Sequence, residues 1–263
     1  MKQLPHEDLF PRGVEHFRHW HIQDKGALAL VLAHLSQQDT GPLVVLTSST
    51  QEARQLEDAL QFYLAHADTP VALFPDWETL PYDLFSPQQA IINERIRVLH
   101  QLPTLKKGVI LVPINTLLQR LPPKSHVSGS SFDLAVGDTF DLDATRQRLT
   151  ESGYRHSNTV YESGEFAIRG AIMDVFPMGE TQPFRIELFD DEIESLRLFD
   201  AETQRSTGTV ERITLLPAAE YPLSEAGIAQ FRESFRETFD VDYRKNQLYL
   251  DVTEGIPSPG LEY

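Results

Sequence analysis

An α/β fold followed by an antiparallel module is predicted by three features of the 263-residue sequence. Short apolar runs rich in β-branched residues recur in its first half, and such runs are typical of strands buried in a parallel sheet. Amphipathic segments with helical period lie between these runs, and the short connections indicate an open sheet. In the second half, strands and tight turns predominate, which predicts a small antiparallel α+β domain inserted after the first.

Three strands and one well-marked helix define the first predicted domain. The helix begins at a capping box, because the Ser49 hydroxyl can accept a hydrogen bond from the Glu52 amide. Its apolar side chains then recur on one face at helical spacing: Ala53, Leu56, Leu60, Tyr63 and Leu64. The predicted strands are PLVVLT at 42–47, VALF at 71–74 and GVILVP at 108–113, with further helices expected over 90–102 and 115–121.

The second module is predicted to begin with a strand-pair element over 131–140, followed by a helix that Asp143 caps and Gly153 ends. Residues 222–240 again show helical spacing. These patterns predict three parts: a first α/β domain over 1–125, an inserted α+β domain over 126–215, and a return segment over 216–263. We expect the return segment to pack on the first domain and to be truncated.

Strands and turns dominate the middle of the inserted domain. Ser163-Gly164 and Asp190-Asp191 are the predicted turns between paired strands, since these residue types favour tight turns. Gly170 interrupts an alternating run and indicates a bulge or a close backbone approach.

The composition indicates a globular protein without thiol chemistry. There are no cysteines, and no apolar run reaches the length of a signal peptide or a membrane span, so we expect a cytoplasmic protein with no membrane contact. The formal net charge is −16, which opposes non-specific binding to nucleic-acid phosphates by the whole surface.

A nucleotide site is not predicted, because the chain has no phosphate-binding loop. Such a loop needs glycines that expose backbone N–H groups, and a Lys followed by Ser or Thr. Lys25 precedes a single glycine with no hydroxyl residue after it, and Lys124-Ser125 follows two prolines that cannot donate. Neither a metal site nor a cofactor site is predicted, so we expect this chain not to be an enzyme.

The stretch FRIELFDDEIESLRLFD allows two interpretations. An apolar strand ending in Asp190, Asp191 and Glu192 resembles the magnesium-binding strand of nucleotide hydrolases. That strand should be continuously apolar and needs phosphates held by the missing loop, whereas Arg185 and Glu187 interrupt this one. A charged hairpin tip therefore explains the sequence better.

Alternation along this strand predicts one buried face and one outer face. Phe184, Ile186 and Leu188 form the buried set. Arg185 and Phe189 fall on the other side, and Arg169 of the preceding strand segment can join them if the strands pair. Arginine beside an exposed aromatic is the composition of an interface hot spot. An ordinary solvated face with a salt bridge is the alternative that the residues alone leave open.

Four segments resemble the N-terminal region of the bacterial transcription-repair coupling factors, the Mfd family. They are DWETLPYDLFSP, LVPINTLLQRLP, GEFAIRGAIMDVFPMG and RIELFDDEIESLRLFD, and the likeness extends from about residue 14 to 263. The segments of the second module resemble the repair helicase UvrB more distantly. The resemblance implies a degenerate helicase-like (RecA-like) open parallel sheet domain without a P-loop, carrying an inserted domain that recruits the repair protein UvrA.

The resemblance also implies which residues contact UvrA. Arg169 matches the arginine of the family's F-x-x-R-G motif, and Arg185 and Phe189 match R-x-E-x-F-D-D-E; Asp190, Asp191 and Glu192 adjoin this patch. In the family, the ATP-driven motor, the RNA polymerase contacts and the DNA contacts lie in other domains. A C-terminal region masks the UvrA-binding surface by intramolecular contact.

Two rival functions remain at this stage. One is a nucleotide-dependent, UvrB-like helicase domain whose phosphate site near Lys25 is not recognisable from sequence. The other is weak, salt-sensitive DNA binding through the α/β domain.

Overall fold

The computed structural model describes residues 19, 21, 22, 24–38, 41–80, 83 and 85–262. The fold is mixed α/β with parallel and antiparallel sheets, as predicted. It divides into two compact units. The first unit holds the described residues up to Pro75 and Thr104–Leu118, and the second holds those of Asp76–Pro103 and Gln119–Tyr263.

The first unit is a three-stranded parallel sheet with helices. Its elements are α1 (Lys25–Ser36), β1 (Leu43–Thr47), α2 (Thr50–Leu64), β2 (Val71–Leu73), β3 (Val109–Pro113) and α4 (Ile114–Leu117). The strand order is β1-β3-β2, and the central strand β3 is buried along its whole length. Leu56, Leu60 and Leu64 of α2 are buried in the core of this unit, as the helical period predicted.

The cap of α2 differs in one detail from the predicted box. The Ser49 hydroxyl accepts from the Glu52 amide at 3.2 Å, as expected. The Glu52 carboxylate reaches one residue further back, to the amide and hydroxyl of Ser48 at 2.9 and 2.7 Å. These hydrogen bonds lower the pKa of Glu52.

The second unit contains the remaining elements. Its helices are α3 (Gln89–Gln101), α5 (Lys124–Ser130), α6 (Leu142–Glu151), α7 (Glu225–Thr238) and α8 (Gln247–Thr253), with 3-10 turns at Leu102–Thr104 and Tyr243–Lys245. Its strands are β4 (Phe132–Ala135), β5 (Arg155–His156), β6 (Glu165–Arg169), β7 (Ile172–Val175), β8 (Phe184–Phe189), β9 (Glu192–Phe199), β10 (Ser206–Val210) and β11 (Arg212–Leu215).

Two sheets organise this unit. The larger has the order β10-β9-β8-β7-β6-β5, and every neighbouring pair is antiparallel except β5 with β6. The smaller pairs β11 with β4. Four adjacent strands of the large sheet each contribute a buried side chain to one core: Phe166, Met173, Ile186 and Leu196.

The observed grouping of residues differs from the predicted domain boundaries at 125 and 215. Helix α3 belongs to the second unit, because its Ile92 and Ile96 enter the core of the large sheet. Trp77 enters the same core. Residues 216–262 also belong to this unit.

Three local predictions for the second module are corrected by the structure. The cap of α6 is Asp141, whose Oδ1 accepts from the Ala144 amide at 2.9 Å, and Asp143 lies inside the first turn. Gly170 occupies the two-residue turn between β6 and β7, with φ of 61°, so the run is a hairpin and not a bulged strand. Ser163-Gly164 forms a turn in the connection between β5 and β6, which pair in parallel, so it is not the tight turn of a hairpin.

Candidate functional site

The predicted binding residues lie on β6, on β8 and at the turn after β8. Strand register determines which of them share a face: Arg169 lies opposite Ile172, and Ile172 opposite Glu187. Directly opposed residues of an antiparallel sheet point to the same side, as do residues two apart along a strand. Arg169, Arg185 and Phe189 therefore share one side of the large sheet, which we call the outer face.

The other side of β8 faces the core. Phe184 and Ile186 are buried there, and Leu188 is partly buried against the same cluster. The alternation predicted for this strand is confirmed.

Asp174 lies at the centre of the outer face, directly opposite Arg185 on β8. Its side chain is 0% exposed. Arg185 holds the carboxylate side-on, with Nε 2.7 Å from Oδ1 and Nη2 2.9 Å from Oδ2. Arg169 donates from Nη2 to the same Oδ2 at 2.5 Å. Two arginines thus share one buried carboxylate, which the sequence reasoning did not single out.

The two arginines differ in their surroundings. The side chain of Arg185 is 20% exposed, and its guanidinium carbon lies 5.0 Å from the ring centroid of the buried Phe199. Hydrogen bonding to Asp174 raises the pKa of Arg185 and outweighs the opposite effect of burial. The side chain of Arg169 is 52% exposed, so it reaches both Asp174 and solvent.

A second ion pair lies beside this group on the outer face. Glu187 accepts from Arg197 Nη2 at 3.0 Å and from the Ser195 hydroxyl at 2.7 Å. Here the negative charge of Glu187 neutralises the positive charge of Arg197, whereas the single charge of Asp174 neutralises only one of its two arginines. The centre of the outer face therefore carries a net positive charge within an acidic chain.

Phe189 and the acidic residues form the end of this face. Phe189 closes β8 and is 75% exposed. Asp190 adopts the left-handed conformation with φ of 58°, which a two-residue hairpin turn requires, and Asp191 and Glu192 are exposed with it. The stretch is thus the tip of an antiparallel hairpin, in agreement with the predicted turn.

A neighbouring segment holds the hairpin tip in place. The Phe140 amide donates to the Asp191 carbonyl at 2.7 Å, and the Gly137 amide donates to the Ile193 carbonyl at 2.9 Å. Thr139 forms an isolated bridge with Glu192. These backbone hydrogen bonds from residues 137–140 restrain the hairpin tip, so that Phe189 and the acidic side chains project from a fixed position.

The N-terminus of α1 contains Lys25, near which the rival hypothesis puts a phosphate site. Asp24 caps this helix, and its Oδ1 accepts from the Ala27 amide at 2.8 Å. Lys25 donates to the Gln55 side chain at 2.8 Å. A carboxylate on the helix N-terminus occupies donors that a phosphate would need, and its charge repels a phosphate.

The described residues contain neither a metal-binding cluster nor a membrane-spanning helix. Among the described residues, no group of three or more His, Cys, Asp or Glu side chains could hold a metal ion. None of the helices in the described ranges is long and apolar enough to span a membrane.

Comparison with known proteins associates this geometry with a family. Residues 132–221, which include the outer face and the hairpin tip, match the family model of the UvrB interaction domain. The chain is 44% identical to the transcription-repair-coupling factor of Escherichia coli K12 over 237 residues, which is 90% of this chain and 20% of that protein.

Two further relatives bear the same name. The protein of Haemophilus influenzae is 44% identical over 239 residues, and that of Staphylococcus aureus USA300 is 34% identical over 216 residues. These matches cover 90% and 81% of this chain, and 21% and 18% of the relatives. The chain thus spans about a fifth of the length of the relatives it matches. The resemblance is thereby confirmed: the chain corresponds to the N-terminal region of transcription-repair-coupling factors and contains a match to the UvrB interaction domain.

Proposed function

We propose that this chain is a non-catalytic adaptor module of transcription-coupled repair, which recruits UvrA through the outer face of its large sheet. The observation that carries the proposal is the Arg169–Asp174–Arg185 group beside the exposed Phe189. It lies within the segment that matches the UvrB interaction domain. Asp190, Asp191 and Glu192 form the acidic border of the proposed contact.

The physical character of the face supports a protein partner. A fixed guanidinium pair gives charge-assisted hydrogen bonds to an acceptor on the partner, and Phe189 supplies apolar area at small entropic cost. A ring that is 75% exposed adds little to the stability of the unit itself, and beside two guanidinium groups it gives the composition of an interface hot spot. The alternative of a solvated salt bridge explains the ion pairs but leaves the exposed ring without a role.

The first unit is proposed to be a degenerate RecA-like domain without nucleotide chemistry. Its parallel sheet suits that fold, and the Asp24 carboxylate on the N-terminus of α1 stands against a phosphate there. Isothermal titration of the chain with ATP and Mg²⁺ is expected to show no binding. A micromolar dissociation constant would support the rival, nucleotide-dependent function.

The remaining partners are proposed from the family resemblance. In the longer protein, RNA polymerase and DNA would be contacted by other domains, and a C-terminal region would mask the outer face.

The decisive experiment measures binding of purified UvrA to the chain and to Arg169→Ala. The substitution is expected to weaken binding by about 2 kcal/mol, because it removes a charged donor at the centre of a contact. Arg212→Ala is the control, since the Arg212 side chain is exposed to a similar extent and pairs with an aspartate, Asp133, on the small sheet. Equal binding by the parent and Arg169→Ala, with unchanged circular dichroism, would overturn the site.

A further inference from the structure

Asp174 is the one member of the central group that no partner can touch, because its side chain is fully buried. Both of its carboxylate oxygens accept from guanidinium groups, Oδ1 from Arg185 and Oδ2 from Arg185 and Arg169. A buried carboxylate on an otherwise apolar strand destabilises the folded state unless it is paired with a positive charge. Its contacts are therefore directed at the two arginines.

The carboxylate determines how Arg185 is oriented. The side-on grip uses Nε and Nη2, which leaves Nη1 free to point away from Asp174. The ring of Phe199 lies against the guanidinium at 5.0 Å and limits its tilt. The two hydrogen bonds fix the in-plane direction of the guanidinium, and the ring contact limits its rotation out of that plane. Together they select one orientation of Arg185.

The same carboxylate keeps the two arginines together. Nη2 of Arg169 and Nη2 of Arg185 both donate to Oδ2, so two positive charges lie within hydrogen-bond distance of one atom. Without the negative charge between them they would repel each other. The half-exposed Arg169 would then turn to solvent, since nothing else in the group holds it.

We infer that Asp174 is a positioning residue of the UvrA contact: it presents the guanidinium groups of Arg169 and Arg185 as a preformed pair toward one acceptor-rich site on the partner. The inference rests on the proposed function and adds to it a residue that never meets UvrA. A preformed pair binds more tightly because its side chains are ordered before contact.

The first test compares Asp174→Asn with the parent in binding to purified UvrA. Asparagine keeps the size of the side chain but loses the charge and one acceptor, so binding is expected to fall at least about tenfold. Asp133→Asn is the control, because Asp133 pairs with Arg212 on the other sheet, and it is expected to change binding less than about threefold.

A readout without UvrA tests positioning directly. The Arg185 Nε–H, bonded to Asp174, is expected to give a slowly exchanging signal in ¹H–¹⁵N spectra of the parent and to lose it in Asp174→Asn. Arg185→Lys provides a second variant that retains the charge. It is expected to weaken UvrA binding similarly, because the single ammonium group of lysine cannot donate to both oxygens of Asp174 as the Nε and Nη2 of arginine do.

The proposed UvrA binding and the positioning role of Asp174 can fail independently of each other. If the parent does not bind UvrA, the proposed function is wrong, and the Nε–H signal alone decides whether Asp174 positions Arg185. If Asp174→Asn or Arg185→Lys binds as tightly as the parent, the positioning role is overturned. A rapidly exchanging Nε–H in the parent would overturn it as well.

Discussion

At the scale of single residues, the two arginines of the outer face are expected to contribute unequally to the stability of the fold. Arg185 makes two of the three bonds to Asp174 and is mostly buried, whereas Arg169 makes one and is half exposed. Removing Arg185 therefore leaves a buried carboxylate with little compensation, and we expect Arg185→Ala to lower the free energy of unfolding by about 3 kcal/mol. Urea denaturation followed by circular dichroism measures the loss.

Arg169→Ala serves as the comparison in that measurement. It leaves the side-on pair of Arg185 and Asp174 intact, so its loss of stability is expected to be clearly smaller. Equal losses for the two variants would contradict the unequal sharing of Asp174.

Phe189 should contribute to binding without contributing to stability. Because its ring is 75% exposed, Phe189→Ala removes little buried area, and the melting temperature should stay close to that of the parent. Affinity for UvrA should fall by about 2 kcal/mol, since an aromatic ring at a contact centre is a typical hot spot.

A matched aromatic control exists in the first unit. Phe62 on α2 is 77% exposed, and Phe62→Ala is expected to leave both stability and UvrA affinity nearly unchanged. Similar affinity losses for both phenylalanine variants would mean that the effect of Phe189 is not specific to the outer face.

The site was only partly predictable from sequence at this scale. Alternation along β8 was sufficient to separate Arg185 and Phe189 from the buried Phe184 and Ile186. Asp174 was missed because its position depends on the register between β7 and β8, which no single strand encodes. A charge inside the apolar run IMDVF was the available signal, since such a charge needs a partner.

At the scale of elements, the beginning of α6 offers a direct test of capping. Asp141 accepts from the Ala144 amide, whereas Asp143 lies two residues further on, inside the first turn of the helix. Asp141→Ala is expected to cost about 1 kcal/mol of stability, as the loss of a cap usually does. Thermal unfolding of both alanine variants compares two exposed aspartates that differ in position alone.

Asp143→Ala is expected to cost at most about 0.5 kcal/mol, through the helix dipole only. The reverse order of the two losses would restore Asp143 as the cap. Two possible caps two residues apart illustrate why helix ends were less predictable than the helix itself.

Hairpins show a similar limit of sequence reasoning. Asp190-Asp191 was recognised because acidic residues between two alternating runs are typical of a turn. Gly170 alone does not distinguish the predicted bulge or close backbone approach from the observed turn, since a glycine at positive φ serves in bulges and turns alike. The long amphipathic helix α2 and the apolar strands were predictable because their signals are repeated over many residues.

At the scale of the whole chain, a buried polar network explains why the second unit includes α3 and the loop before it. Arg95 on α3 is 0% exposed and donates to Glu220 from Nε at 2.5 Å and from Nη2 at 3.0 Å. The Trp77 indole also donates to Glu220, at 3.1 Å, and Gln119 accepts from Arg95 at 2.9 Å. One carboxylate thus joins segments more than 120 residues apart, which no local pattern predicts.

Glu220 should therefore be a determinant of stability for the second unit as a whole. Glu220→Gln keeps the shape but removes the charge that compensates the buried Arg95, and we expect a loss of about 3 kcal/mol in the free energy of unfolding. Trp77 fluorescence in a Trp20→Phe background reports the transition, because the indole is bonded to Glu220 itself.

Glu94→Gln is the control on α3, the helix that carries Arg95, since Glu94 pairs with Arg97 at the surface, and exposed pairs contribute at most about 1 kcal/mol. If both glutamine variants unfolded at the same urea concentration, the buried network would not hold the unit together. Suppose that Glu220→Gln alone lowers the free energy of unfolding, and that its affinity for UvrA falls only under conditions in which the second unit unfolds. The buried network would then support the outer face without being part of the contact. That result would separate the residues that build the second unit from Arg169 and Phe189, whose loss is expected to weaken binding while the unit stays folded.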